Sequence, residues 1–126
     1  TDTPGASAYV RGGAVVYTVE AKTAHGVPAE LISKAGVVSE EVARAMANCA
    51  RDRFHADWGL ASTGVAGPDP LDGLPQGLVW LAVAGPTGQW TQKLNWPAPR
   101  RLLKERTANA ALMLLWQILN GNTVGL

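Results

Sequence analysis

The chain has 126 residues, 47% of them hydrophobic, which is enough for one hydrophobic core and too little for two ordinary domains. Its 11 basic and 10 acidic residues leave a formal net charge of +1, so we expect neither nucleic acid nor an anionic membrane as a partner. Cys49 is the single cysteine, which excludes an intrachain disulfide and any thiolate-built metal cage and indicates a reducing cytoplasm.

The first half of the chain predicts a strand followed by two helices. Residues 9–20 are rich in valine and tyrosine around a pair of glycines, a pattern typical of one strand with a kink. Pro28 in a first turn and Gly36 at the end predict a short helix between them. Ser39 then caps a second helix, whose apolar residues recur at helical spacing to about residue 55.

Three strands are predicted next. Residues 58–63 are apolar and run into glycines, as a buried strand does when it ends in a loop. Three prolines make residues 64–77 an ordered loop without helix. Residues 78–84 are continuously apolar and predict a central strand. In residues 89–96 apolar and polar residues alternate, which predicts a strand with one solvent-exposed face.

A long amphipathic helix is predicted over residues 100–119 and ends at Gly121. No apolar run approaches the roughly 20 residues that a membrane-spanning helix needs. The order of elements predicts an α/β fold: a single domain with a mixed β-sheet flanked by helices.

Tyr17 and Lys22 lie five residues apart at the end of the first predicted strand, close enough to share a pocket. A lysine works as a general base only when burial or neighbouring cations lower its pKa. The alternative is a tyrosine packed on the sheet and a solvated lysine after the strand.

The loop that begins at Thr63 carries Gly64 and Gly67, which allow backbone N–H groups to approach an anion or a carbonyl oxygen. It lacks the Gly-Lys-Ser/Thr of a phosphate-binding loop and the three glycines of a dinucleotide site. A structural turn is therefore the alternative.

Other candidates are weaker when taken alone. Ser7 could be a nucleophile, although turn formation is the simpler interpretation. Arg100 and Lys104 belong to a basic cluster at the start of the last helix that could attract a phosphate or could simply be solvated. His25 and His55 lack metal-ligand spacing, so we expect no metal.

Taken in order, these segments resemble the C-terminal domain of the CinA family. The blocks that carry the resemblance are PGAS at residues 4–7, GG at 12–13, YTVEAK at 17–22, GVP at 26–28, GVVSEEVA at 36–43, TGVAGP at 63–68 and GLVW at 77–80. The resemblance extends over essentially the whole chain, and the blocks at residues 17–22 and 63–68 are the most specific.

The resemblance implies a nicotinamide-nucleotide amidohydrolase, which converts nicotinamide mononucleotide and water into nicotinate mononucleotide and ammonia without a cofactor. In that scheme a serine attacks the carboxamide and Lys22 is its base, while Tyr17 orients the pair or holds the substrate. Residues lining the mononucleotide pocket would be Ser7, Thr63, Gly64 and Gly67. Arg100 and Lys104 would face the 5′-phosphate. The resemblance further implies, in the full protein, a possible N-terminal molybdopterin-binding-like domain. The single cysteine favours the cytoplasm, and the tryptophans on strand and helix faces favour a homodimer.

The chain departs from the family at three points. It lacks the Ala-Glu-Ser-x-Thr-Gly-Gly type motif that carries the nucleophilic serine, so we expect the domain to lack its first strand and helix and to show an unfilled edge or slot. Val19 stands in place of a usual asparagine, and Lys104 in place of a common arginine. Two alternatives stay open: a catalytically silent module for assembly in a competence or DNA-damage context, and nucleotide binding without turnover.

Overall fold

The computed structural model describes residues 1–121 and contains one 3-10 turn, four helices and three strands within them. In chain order these are the 3-10 turn Ala6–Ala8, α1 Val19–His25, α2 Ala29–Ala35, α3 Glu40–Phe54, β1 Gly59–Gly64, β2 Leu78–Gly85, β3 Gly88–Asn95 and α4 Arg100–Leu119.

The sheet has the order β1-β2-β3, and both pairs are antiparallel. Leu81 of β2 lies opposite Ser62 on one side and opposite Gln92 on the other. β2 is therefore the central strand, which agrees with its continuously apolar sequence.

Both faces of β2 are buried, because successive side chains of a strand point to opposite sides. Val79, Leu81 and Val83 pack with Leu103 and Leu114 of α4. On the other face, small residues meet small residues: Ala43 and Ala47 of α3 cluster with Ala82 and Ala84. The sheet thus lies between α4 and α3.

The close approach of α3 to the sheet depends on Gly59. A Cβ atom at Gly59 would lie 2.0 Å from the Ala47 carbonyl oxygen, a distance that real side chains do not tolerate. Ser39 fixes the start of the same helix, since its hydroxyl accepts a hydrogen bond from the Val42 amide at 3.3 Å. The start of β1 and the body of α3 are therefore held in one arrangement.

The predicted α/β class and single domain are confirmed, as are the three strands after residue 58 and the helices α2, α3 and α4. The predicted strand over residues 9–20 is wrong. Residues 10–17 have no regular structure, and α1 begins at Val19 after Thr18, whose hydroxyl accepts from the Ala21 amide at 3.0 Å.

The physical reason is the lack of a partner strand beside this segment in the part of the chain described. Val15 is 94% exposed and Tyr17 is 76% exposed, so their preference for strands is not supported by packing. The expected mixed sheet also depended on this strand, and without it the sheet of residues 1–121 is antiparallel.

Gly59→Ala is expected to lower the free energy of unfolding by about 1–3 kcal/mol or more, because the new methyl group would force α3 away from β1. The measurement is the urea unfolding midpoint. Gly13→Ala is the matched control, since a Cβ atom there meets nothing within 4 Å. Equal midpoints for the two variants would contradict the proposed close packing.

Candidate functional site

A half-open cleft of about 730 Å³ lies between the exposed segment of residues 9–17 and strand β1. All six residues of β1 line it, and β1 pairs only with β2 within residues 1–121, so its second edge faces the cleft. Four of the predicted site residues also line it: Tyr17, Lys22, Thr63 and Gly64.

Lys22 is a buried amine in the lining of this cleft. Its side chain is 6% exposed, and its Nζ donates to the carbonyl oxygens of Val16 at 2.8 Å and Tyr17 at 3.3 Å. Because α1 starts between these carbonyls and Lys22, the side chain folds back onto the segment that precedes its own helix.

Burial lowers the pKa of the Lys22 amine from its ordinary value of 10.5. Lys22 has no carboxylate partner within the described residues, where the ion pairs are Arg44–Glu40 and Arg101–Glu105. A neutral amine can make both observed hydrogen bonds and still keep a lone pair. The environment of Lys22 is therefore one that favours a base.

Arg100 joins two predicted site segments that are far apart in sequence. One guanidinium nitrogen donates to the Gly67 carbonyl oxygen at 2.6 Å, and another donates to the Tyr17 hydroxyl at 2.9 Å. Arg100 is exposed, and its five N–H donors exceed these two bonds. It can therefore position Tyr17 and the glycine loop and still bind an anion.

Thr63 and Gly64 form the floor of the cleft where β1 ends. The Thr63 side chain is buried and donates to the Val37 carbonyl oxygen at 2.9 Å, which ties β1 to the turn before α3. A Cβ atom at Gly64 would lie 2.7 Å from Cγ2 of Val79, so only glycine fits there without a shift.

The glycine loop that follows offers free backbone donors. The Val65 amide donates to the Leu78 carbonyl at 2.8 Å, but within residues 1–121 the amides of Ala66 and Gly67 donate to no backbone carbonyl. Gly67 has φ 77°, a left-handed conformation that suits glycine. Two adjacent free amides could stabilise an oxyanion.

The remaining predicted residues lie further away. Lys104 is one turn after Arg100 and borders a shallow surface depression with Arg100, Arg101 and Glu105. Ser7 lies on the exposed 3-10 turn and is not part of the cleft lining. In the described residues, no three His, Cys, Asp or Glu side chains cluster as metal ligands would.

The sequence model of the CinA C-terminal domain matches residues 1–119. The chain belongs to this family. It is 45% identical over 124 residues to the CinA-like protein of Mycolicibacterium gilvum, and the aligned region makes up 96% of this chain and 29% of that protein. It is 43% identical over 122 residues to the CinA-like protein of Frankia casuarinae, and here the aligned region makes up 96% of this chain and 28% of that protein. The chain thus spans less than a third of the length of these curated relatives.

Solved CinA structures share the fold. The competence damage-inducible protein A (ComA) of Klebsiella pneumoniae superposes with a TM-score of 0.90 at 26% identity, over 94% of this chain and 75% of that one. The competence/damage inducible protein CihA of Agrobacterium tumefaciens superposes with a TM-score of 0.85 at 34% identity, over 90% of this chain and 72% of that one. About a quarter of each solved chain therefore lies outside the match.

The resemblance to the CinA family assigned Tyr17, Gly67 and Arg100 to one site, and hydrogen bonds of Arg100 connect these three residues in the structure. It missed Gln76, whose side-chain amide donates to the carbonyl oxygens of Ala66 and Ala98. A glutamine between a proline and a glycine has no periodicity or motif that would have pointed to this role.

Lys22→Met removes the desolvation cost of a buried amine together with its two hydrogen bonds to the Val16 and Tyr17 carbonyls, so the informative quantity is how the difference in free energy of unfolding from the wild type changes with pH. Since burial lowers the pKa in the folded state, the unfolded state binds more protons between that lowered pKa and 10.5. The stability of the wild type should therefore rise with pH through this window relative to that of Lys22→Met, which lacks the titrating amine.

Urea unfolding measured from pH 7 to pH 10.5 checks this expectation, with Lys34→Met as the matched control because Lys34 is exposed on α2. Lys34→Met should keep the wild-type rise of stability with pH, and an equal rise in Lys22→Met would show that burial of Lys22 carries no cost.

Proposed function

We propose that this chain is the larger part of a nicotinamide-nucleotide amidohydrolase domain that converts nicotinamide mononucleotide and water to nicotinate mononucleotide and ammonia. The observation that carries the proposal is Lys22, an amine of lowered pKa that lines a cleft, is held by two backbone carbonyls and has no acid beside it in residues 1–121. An amide hydrolase with a serine nucleophile needs such a base.

The nucleophilic serine would enter on a strand that precedes these residues in the longer protein. The unpaired edge of β1 and the exposed segment of residues 9–17 border a cleft that could receive one extended strand. Tyr17 and Lys22 line the same cleft, so a side chain on that strand could reach the Lys22 amine.

A helix would accompany this strand. α4 exposes an apolar face at Leu112, Met113, Trp116 and Leu119, each more than half exposed. A helix laid on that face would bury it, and Leu112 also lines the cleft, which makes the two surfaces continuous. The part of the solved relatives that lies outside the match is a further support.

In the mechanism that we propose, neutral Lys22 takes the proton of the serine hydroxyl as the serine oxygen attacks the carboxamide carbon. The free amides of Ala66 and Gly67 would donate to the resulting oxyanion. The intermediate then collapses to an acyl-enzyme, and Lys22 returns its proton to the departing nitrogen, which leaves as ammonia. Lys22 then takes a proton from water as the water oxygen attacks the acyl carbon. When the bond to the serine oxygen breaks, Lys22 returns the proton to that oxygen, which regenerates the serine and releases nicotinate mononucleotide.

The 5′-phosphate of the substrate would lie against Arg100 and Lys104 at the start of α4. This helix has no acidic residue in its first turn, and its N-cap Pro99 makes no side-chain cap, so positive charge and backbone donors are both available. Tyr17 accepts from Arg100 and would orient it toward the cleft.

The wider setting follows from the same proposal. No helix of the described residues is long and apolar enough to cross a membrane. We place the reaction in the cytoplasm, in a homo-oligomer that uses neither metal nor cofactor. In the longer protein, a molybdopterin-binding-like domain would precede this one.

Lys22→Ala in the full-length protein is expected to lower the rate of ammonia release from nicotinamide mononucleotide by about 10²–10⁴-fold, the usual contribution of a general base. Lys34→Ala, an exposed lysine on the neighbouring helix α2, is the control and should keep the wild-type rate.

Equal rates for Lys22→Ala and the wild type would exclude Lys22 as the base. Tight binding of the mononucleotide by the wild type without any product would instead identify a nucleotide-binding module without turnover.

A further inference from the structure

Gln76 connects the glycine loop to the start of α4. Its Nε2 donates to the carbonyl oxygen of Ala66 at 3.2 Å and also to that of Ala98. Because both neighbours are carbonyl oxygens, the amide nitrogen must face them, and its two hydrogens satisfy one carbonyl each. The side chain is thus a bridge between two backbone segments.

The backbone that carries this bridge is itself fixed. The Gly77 amide donates to the Val65 carbonyl at 2.9 Å, and the Gly77 carbonyl accepts from the Trp96 amide at 3.0 Å. Gln76 also packs directly on Gly67, where a Cβ atom would lie 2.1 Å from the Gln76 Cγ. The side chain therefore has a defined direction and little freedom to move.

The two carbonyls lie next to the groups that the proposed reaction uses. Ala66 precedes Gly67, whose carbonyl accepts from Arg100, and Ala98 lies two residues before Arg100. The Gln76 bridge and the Arg100–Gly67 hydrogen bond therefore connect the same two segments side by side. Loss of the bridge would leave the exposed Arg100–Gly67 hydrogen bond as the remaining direct side-chain hydrogen bond between these segments in residues 1–121, beside the backbone link through Gly77.

We propose that Gln76 is a positioning residue that sets the distance between the oxyanion-binding amides of the glycine loop and the guanidinium of Arg100, and so selects ligands that carry a 5′-phosphate. This inference rests on the proposed function, because it takes Arg100 as the phosphate-binding group. Gln76 itself touches no substrate; it acts through Arg100.

The role predicts an effect that depends on the ligand. A mononucleotide must contact the loop and Arg100 at once, so a shift between them weakens its binding. A nucleoside without the phosphate contacts the loop alone, and its affinity does not depend on that distance. A residue that merely stabilised the fold would change both affinities alike.

The experiment measures dissociation constants by calorimetry with the full-length protein, for nicotinamide mononucleotide and for nicotinamide riboside. Gln76→Met keeps the length of the side chain and removes both donors. It should weaken mononucleotide binding by about tenfold and leave riboside binding within about twofold. Gln89→Met on β3, where the glutamine is exposed, is the matched control and should change neither constant.

A double-mutant cycle with Arg100→Ala tests whether Gln76 acts through Arg100. In the Arg100→Ala protein, adding Gln76→Met should weaken mononucleotide binding no further. Unchanged mononucleotide binding in Gln76→Met, equal weakening of both ligands, or additive losses in the double variant would each overturn the inference.

The proposed function fails separately. If the wild type binds the mononucleotide with this pattern but releases no ammonia, the positioning role stands and the amidohydrolase assignment does not. Wild-type protein that binds no mononucleotide overturns both.

Discussion

The central interaction of this structure is the hydrogen bonding of a buried amine by the backbone that precedes it. Lys22 donates to the Val16 and Tyr17 carbonyls, and no carboxylate of residues 1–121 forms an ion pair with it. A salt bridge would have raised the pKa of the amine, whereas burial is the dominant influence here and lowers it. The same contacts fix the course of residues 16–17 and hence one wall of the cleft.

A second set of contacts links the glycine loop and the start of α4 to Tyr17, which lines the cleft beside Lys22. Arg100 is 83 residues from Tyr17 and 33 from Gly67, and it bonds to both. These contacts are exposed, so each contributes little stability by itself. Their value lies in geometry, since Arg100 connects the glycine loop to Tyr17, which lines the cleft together with Lys22, and Gln76 holds the loop to the segment before Arg100.

Much of the fold could be predicted because its pattern is local. Ser39 and the helical spacing after it define α3, and the unbroken apolar run of β2 marks a strand with two buried faces. Residues 9–20 were predicted wrongly because β-propensity describes packing beside a neighbour, and Val15 has none in the described chain. Thr18 as an N-cap and Glu20 in the first turn are typical of a helix start, but the valines of the same segment favoured a strand.

For the site, the order of motifs predicted Tyr17, Lys22, Gly67 and Arg100. Gln76 was not predicted, because its role depends on two carbonyls that only folding brings together.

The most direct test of the account is the pKa of Lys22 in the full-length protein. It can be measured by NMR titration of the lysine side-chain carbon next to the amine, with Lys22→Arg used to assign the signal. The account predicts a pKa below the ordinary value of 10.5, with the neutral form stabilised by burial. A Lys22 that titrates at or above 10.5 would contradict its role as the base.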